Sequence, residues 1–155
     1  VTRDTFREAL ARWASGVTVV ATSLEGRLFG LTASSFTSVS MAPPLILVCV
    51  DLRSESCEAL RRSGAFGVSV LAAGQQEQAL QMARPGEDKF EGLAFRSGAR
   101  LGQPLLEGAL VHLECRTFRA EEAGDHLILL GEVCEAGVQE GPPLLYFLRG
   151  FRGLA

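Results

Sequence analysis

Apolar residues fall at helical spacing in a few stretches of this chain and at strand spacing in most others. Phe6, Leu10 and Trp13 recur at i, i+4 and i+7, which predicts a helix over residues 4–15 with one apolar stripe. Thr5-Phe6-Arg7-Glu8 has the form of a capping box, and Gly16 supplies a stop. The β-branched run Val17-Thr18-Val19-Val20-Ala21-Thr22 predicts a strand, Glu25-Gly26-Arg27 a turn, and residues 28–33 the returning strand. Residues 45–50 are apolar on both faces, as a buried strand is. Residues 54–63 predict a short helix, capped by Ser54 or Ser56 and stopped by Gly64. A strand over 66–71, a helix over 75–82 and a charged loop over 84–89 follow. Val111, Leu113, Cys115 and Thr117 then alternate with His112, Glu114, Arg116 and Phe118 at a period of two. Ala123-Gly124-Asp125 turns the chain, residues 126–133 return to form a long hairpin, and 144–148 make a last strand.

Strands joined by short turns, with helices inserted between some of them, favour a mainly β closed antiparallel barrel with peripheral helices over a doubly wound parallel sheet. A length of 155 residues suits a single domain over 1–155. With 47% hydrophobic and 21% charged residues the chain is not disordered. A formal charge of −3 argues against a nucleic-acid partner, which calls for a basic face. The longest apolar run, residues 43–50, is too short to cross a bilayer, and the charged start Val1-Thr2-Arg3-Asp4 has no signal-peptide core. Cys49, Cys57, Cys115 and Cys134 form no C-x-x-C pair and read as free thiols of a reducing cytoplasm, not as disulfides or metal ligands.

Three segments carry candidate chemistry. Residues 30–40 hold six hydroxyl side chains in eleven positions: Thr32, Ser34, Ser35, Thr37, Ser38 and Ser40. A solvated loop would account for that composition equally well. Leu31, Phe36 and Val39 interrupt it, however, and Pro43-Pro44 fixes its exit, so the segment reads as packed and able to offer neutral donors to a ligand. Cys49-Val50-Asp51-Leu52-Arg53-Ser54-Glu55-Ser56 joins the most apolar strand to a helix start, which suits a phosphate, although an ordinary N-cap has the same appearance. Gly124-Asp125-His126 places one of only two histidines at a hairpin mouth, where a ligand or solvent alone can meet it. His112, mid-strand, reads as structural or surface. The sequence has no G-x-G-x-x-G, no P-loop, no G-x-S-x-G elbow and no His/Cys/carboxylate set at zinc spacing.

Taken in this order, the three segments resemble the flavin reductase family, and within it the small reductase components of two-component aromatic monooxygenases. The likeness also takes in Phe6-Arg7-Glu8-Ala9-Leu10, Ala14-Ser15-Gly16-Val17-Thr18-Val19-Val20, Gly131-Glu132-Val133 and Pro143-Leu144-Leu145-Tyr146-Phe147. It implies a six-stranded antiparallel split β-barrel of Greek-key character, a homodimer, and FMN or FAD as flavin with NADH or NADPH as co-substrate. It further implies flavin contacts from Thr32, Ala33, Ser34, Ser35 and Ser38, and a ring edge lined by Cys49, Val50 and Asp51. Ser54 and Ser56 would hold the phosphate, with Lys89 and Phe90 closing over it. His126 would meet the nicotinamide as the catalytic residue, near Tyr146 and Arg149. The tail Leu148-Arg149-Gly150-Phe151-Arg152 matches the family's aromatic-and-Arg ending only loosely. A separate oxygenase would take the reduced flavin; the alternative is a flavin-binding carrier without turnover.

Overall fold

The computed structural model describes residues 1–86 and 88–154. Helix α1 (Arg3–Leu10) is capped by Thr2, whose side chain accepts from the Thr5 N–H. The expected cap at Thr5 thus lies inside the helix, because Thr2 already takes its backbone N–H. The helix also ends earlier than expected: Ser15–Gly16 leave it to form strand β1, paired with Tyr146 and Leu145. No residue of α1 is buried, so the stripe of Phe6, Leu10 and Trp13 does not enter a core of this chain.

Strands β2 (Thr18–Leu24) and β3 (Arg27–Ala33) form a hairpin around Glu25-Gly26, both with positive φ. Strand β4 (Thr37–Met41) occupies much of the hydroxyl-rich segment expected as a loop, and β5 (Pro44–Asp51) follows it. Helix α2 (Glu55–Ser63) starts at the Ser54 cap and stops at Gly64 in the left-handed conformation. After it come β6 (Ala65–Val70), α3 (Gln76–Ala83), the short pair β7 (Phe95–Ser97) and β8 (Pro104–Leu106), and the long hairpin β9 (Val111–Ala123) and β10 (His126–Val138). A last hairpin, β11 (Leu145–Phe147) and β12 (Gly150–Arg152), extends the expected final strand. Glu87, in the expected loop, lies outside the described residues.

The main sheet is antiparallel in the order β3-β2-β6-β9-β10-β5-β4. It holds the expected barrel strands with β4 added at one edge. Bringing β5 beside β10 requires a non-sequential connection of Greek-key type. Two buried clusters fill the inside. One joins β2, β5, β6, β10 and α2 around Phe66, Leu60 and Val48; the other joins β2, α3 and the C-terminal segment around Val19, Met82 and Leu144.

Of the two readings open for His112, structural and surface, the structure bears out the first. His112 is buried, its Nε2 within 2.6 Å of the Leu106 carbonyl. Glu114 is buried as well, accepting from the N–H groups of Arg100 and Leu101 at 2.7 Å each. The 98–103 loop therefore wraps a carboxylate, and the buried polar side chains of β9 meet backbone groups, Glu114 two N–H donors and His112 a carbonyl acceptor. All four cysteines are free, Cys57 and Cys115 buried and Cys49 and Cys134 half-buried.

Candidate active site

Strands β3 and β5 splay apart without a ladder between them, and Ser35 bridges the seam. Its Oγ donates to the Cys49 carbonyl and accepts the Cys49 N–H, both at 3.0 Å. One hydroxyl thus satisfies both groups that β5 would otherwise leave open beside the split. Ala33 is buried, and its carbonyl takes the Thr18 hydroxyl at 2.8 Å. Val50 is fully buried in the first core cluster. Ala33, Ser35, Cys49 and Val50 therefore build the wall behind the site, with their side chains or backbone groups already committed. Ser38 lies exposed on the edge strand β4, away from the grooves described below.

A groove of 420 Å³ opens where β3, the end of β5 and α2 meet the α3 exit. Leu31, Met82 and Ala83 give it apolar walls; Ser54, Lys89 and Arg84 give it donors and positive charge, Thr32 a hydroxyl oxygen, and Asp51 and Glu55 carboxylates. The Thr32 hydroxyl donates to the Ala79 carbonyl at 2.5 Å, tying β3 to α3. Ser54 caps α2 through the Ser56 N–H at 3.3 Å. Ser56 itself is buried, and its hydroxyl donates to the Gly30 carbonyl at 2.9 Å. Its donor is therefore not free for a phosphate, contrary to the expectation. Lys89 Nζ donates to the same carbonyl at 3.1 Å. Among the described residues it pairs with no carboxylate, and burial lowers its pKa from the ordinary lysine value against the opposing pull of Glu55. Phe90 packs edge-to-face on Phe95 with centroids 5.3 Å apart and lines a second cavity on the far side of Lys89. A Cβ at Gly30 would meet the Met82 methyl group, which would have to move, and crowd the Phe90 ring.

At the other end of the groove, Arg53 grips Asp51 through Nη2 at 2.8 Å and its own backbone N–H at 2.8 Å, and holds that carboxyl well below the usual range. His126 pairs with Asp51 across β5 and β10, and its Nδ1 lies 2.7 Å from Asp125 Oδ1. It stands beside the groove without lining it. Burial pushes the Cys49 thiol up, so it stays neutral.

Thr32 and Ala83 also line an adjoining cleft of 480 Å³ with Ser34, Tyr146 and Arg149. Tyr146 is held edge-to-face by Phe151 at 5.7 Å, and Arg149 sits in the β11–β12 turn. The sequence pattern thus brings Thr32, Ser34, Asp51, Ser54, Lys89, Tyr146 and Arg149 to one continuous surface. It missed Arg84 and the wall from α3; the signal was a basic residue directly before Pro85-Gly86, where a helix ends against a turn. Apolar walls, neutral donors and a cation beside a helix start fit a flat ring system carrying an anionic tail. No group of His, Cys, Asp or Glu among the described residues is placed to hold a metal.

The comparisons agree with that geometry. The model of the flavin reductase like domain matches residues 10–155. The NADH-dependent flavin reductase of Rhodococcus sp is 40% identical over 151 residues, covering 96% of this chain and 84% of its own. The reductase component of 4-hydroxyphenylacetate 3-monooxygenase from Thermus thermophilus is 43% identical over 153 residues, covering 98% and 97%. Among solved structures, the NADH:FAD oxidoreductase SgcE6 of Streptomyces globisporus C-1027, in complex with NAD and FAD fragments, superposes with a TM-score of 0.94. It is 39% identical, over 99% of this chain and 93% of that one. With this fold, this groove and a match across nearly its whole length, the chain belongs to the flavin reductase family.

Proposed function

We propose that the protein is an NADH:flavin oxidoreductase that hands reduced flavin to a separate monooxygenase component, with residues 1–155 working as one domain. The observation that carries this reading is the groove at the barrel split, apolar along one wall and bearing Thr32, Ser54 and Lys89 on the others. A bound flavin supplies the hydride acceptor and a reduced nicotinamide the hydride.

The chain's part is to bind, orient and exclude water. Ser34 offers a hydroxyl group and Thr32 its hydroxyl oxygen, as an acceptor, to the polar edge of the ring, while Leu31, Met82 and Ala83 cover its apolar side. Ser54, at the start of α2, and Lys89 hold the phosphate of FMN or FAD, with Arg84 adding charge. Phe90 acts behind Lys89, by packing. The Asp51–Arg53 clamp fixes the turn between β5 and α2, and so the edge along which the ring lies. His126, its Nδ1 bonded to Asp125, presents Nε2 towards a nicotinamide beside Asp51. No side chain has to move a proton for the hydride step, so positioning of the two rings is the main contribution.

Two further readings accompany this one. Strand β4 forms an open sheet edge without a charged residue and exposes Val39 and Met41, the latter at 90%, which suits cover by a second copy in a homodimer. The free thiols suit a reducing cytoplasm; no helix among the described residues is long and apolar enough to cross a membrane. The carrier alternative finds no support, since the relatives named above are reductases.

Steady-state NADH oxidation tests the proposal. With FMN or FAD the purified protein is expected to accelerate it well beyond free flavin. Flavin binding without acceleration would return the reading to a carrier.

A further inference from the structure

The flavin groove contains one charge that works against its ligand. Glu55 is the first residue of α2, directly after the Ser54 cap, and its exposed side chain lines the groove together with Ser54 and Lys89. It also lines an 860 Å³ cavity on the far side of Lys89. A flavin phosphate held by Ser54 and Lys89 therefore lies beside a carboxylate. We infer that Glu55 sets the flavin affinity of this site by repelling the phosphate, and so keeps bound flavin in exchange with solution. This role rests on the flavin reductase reading for what occupies the groove.

Charge in the groove is unevenly matched. Its lining holds three cations, Arg53, Arg84 and Lys89, and two carboxylates, Asp51 and Glu55. Arg53 and Asp51 cancel each other through two contacts, Nη2 to Oδ2 at 2.8 Å and Nε to Oδ1 at 3.1 Å. Arg84 and Lys89 remain, and Glu55 offsets one of them. A phosphate monoester carries about −1.5 to −2 charge at neutral pH. One net positive charge falls short of that; two, without Glu55, would match it. Glu55 already pulls on Lys89, although no ion pair joins them among the described residues. The Ser56 hydroxyl adds no donor, being committed to the Gly30 carbonyl. Attraction and repulsion thus meet at the same end of the ligand, which holds affinity down while recognition is kept.

Glu55 has a structural use as well. Its Oε2 accepts the Gly86 N–H at 3.1 Å, which ties the start of α2 to the turn beyond α3. An acid in the first turn also suits the helix dipole. Neither use requires a charge at this position. Glutamine offers Gly86 the same kind of oxygen, and Glu58 is a second acid in the first turn. What the charge adds is repulsion of an anion. A reduced flavin consumed by another protein has to leave, and affinity differences among variants of one site act mainly through the dissociation rate.

Fluorescence titration of the full chain with FMN and with riboflavin, for the parent and for Glu55→Gln, tests this role. Glu55→Gln is expected to lower the FMN dissociation constant about threefold and to slow FMN release by the same factor in stopped-flow dilution. Riboflavin, which has no phosphate, is expected to bind as before. The gain should shrink as salt rises, because an exposed charge is screened. A purely structural Glu55 gives the opposite sign: losing the dipole contact loosens the start of α2, and FMN binds more weakly. FMN affinity that is unchanged or weaker in Glu55→Gln overturns the inference, and so does an equal gain for riboflavin. NADH oxidation judges the reductase reading separately. Tighter FMN binding by Glu55→Gln, in a protein whose parent reduces no flavin, would refute that reading and leave the role of Glu55 standing. If the parent binds neither flavin, both fall.

Discussion

Lys89 carries the sharpest expectation at the residue scale. It places a half-buried cation beside the start of α2, hydrogen-bonded to the Gly30 carbonyl and drawn to Glu55 without an ion-pair contact among the described residues. Lys89→Met is expected to weaken FMN binding by about 1.5–3 kcal/mol, the range of a charge-assisted hydrogen bond, and to leave riboflavin, which lacks the phosphate, nearly unaffected. Equal losses for both flavins would remove Lys89 from the phosphate site; fluorescence titration distinguishes the two. Ser35→Ala should act differently. It leaves the Cys49 N–H and carbonyl without their partner at the barrel split, at a cost of about 1–3 kcal/mol, read as a lower chemical-denaturation midpoint. The sequence made the density of hydroxyl groups in 30–40 legible, because composition is local. It could not show that Ser35 and Ser56 bond to Cys49 and Gly30, 14 and 26 residues away, since those pairings exist only once strands are in register.

Helix α2 was readable at the element scale because both of its boundaries are local chemistry: a serine that accepts a backbone N–H, and a glycine in the left-handed conformation. Ser54→Ala should cost about 0.5–2 kcal/mol of stability through the cap. It should also weaken FMN binding, since Ser54 lines the groove; a thermal shift with unchanged FMN affinity would confine Ser54 to capping. Helix α1 shows the opposite case. Its periodicity correctly announced a helix, but an apolar stripe shows only that the helix has two faces. The stripe stays exposed because the chain leaves α1 for β1 and packs the C-terminal hairpin against its end, where Leu148 bonds to Ala11. The short strands β7 and β8 were not legible, having no alternation over three residues. What recruits them is the buried pair on β9, His112 and Glu114, whose polar atoms need the backbone groups of the 98–106 segment.

Taken as a whole molecule, the fold follows from strands that are apolar on both faces being packed between helices and the long hairpin. Phe66, Val48 and Leu129 are fully buried in one cluster, with Cys115 among them. Burial pushes the Cys115 thiol from an ordinary 9.0 up to about 12. The folded state therefore keeps that proton where the unfolded chain releases it, and stability should fall as pH rises from 9 towards 12. Denaturation midpoints across this range check it, with Cys115→Ala expected to fall less steeply than the parent. The order of the sheet was legible only as far as hairpins go. The pairing of β5 with β10 joins residues far apart in sequence, out of reach of periodicity, and the family likeness implied only a Greek-key barrel.

That same pairing sets His126 against Asp51 and opens the groove on which the function depends. The most direct test is anaerobic mixing of the protein and flavin with NADH, protiated or deuterated at C4, while the yellow absorbance is followed. The account predicts bleaching far faster than in protein-free flavin, slowed by the deuterium. Bleaching at the protein-free rate would contradict it.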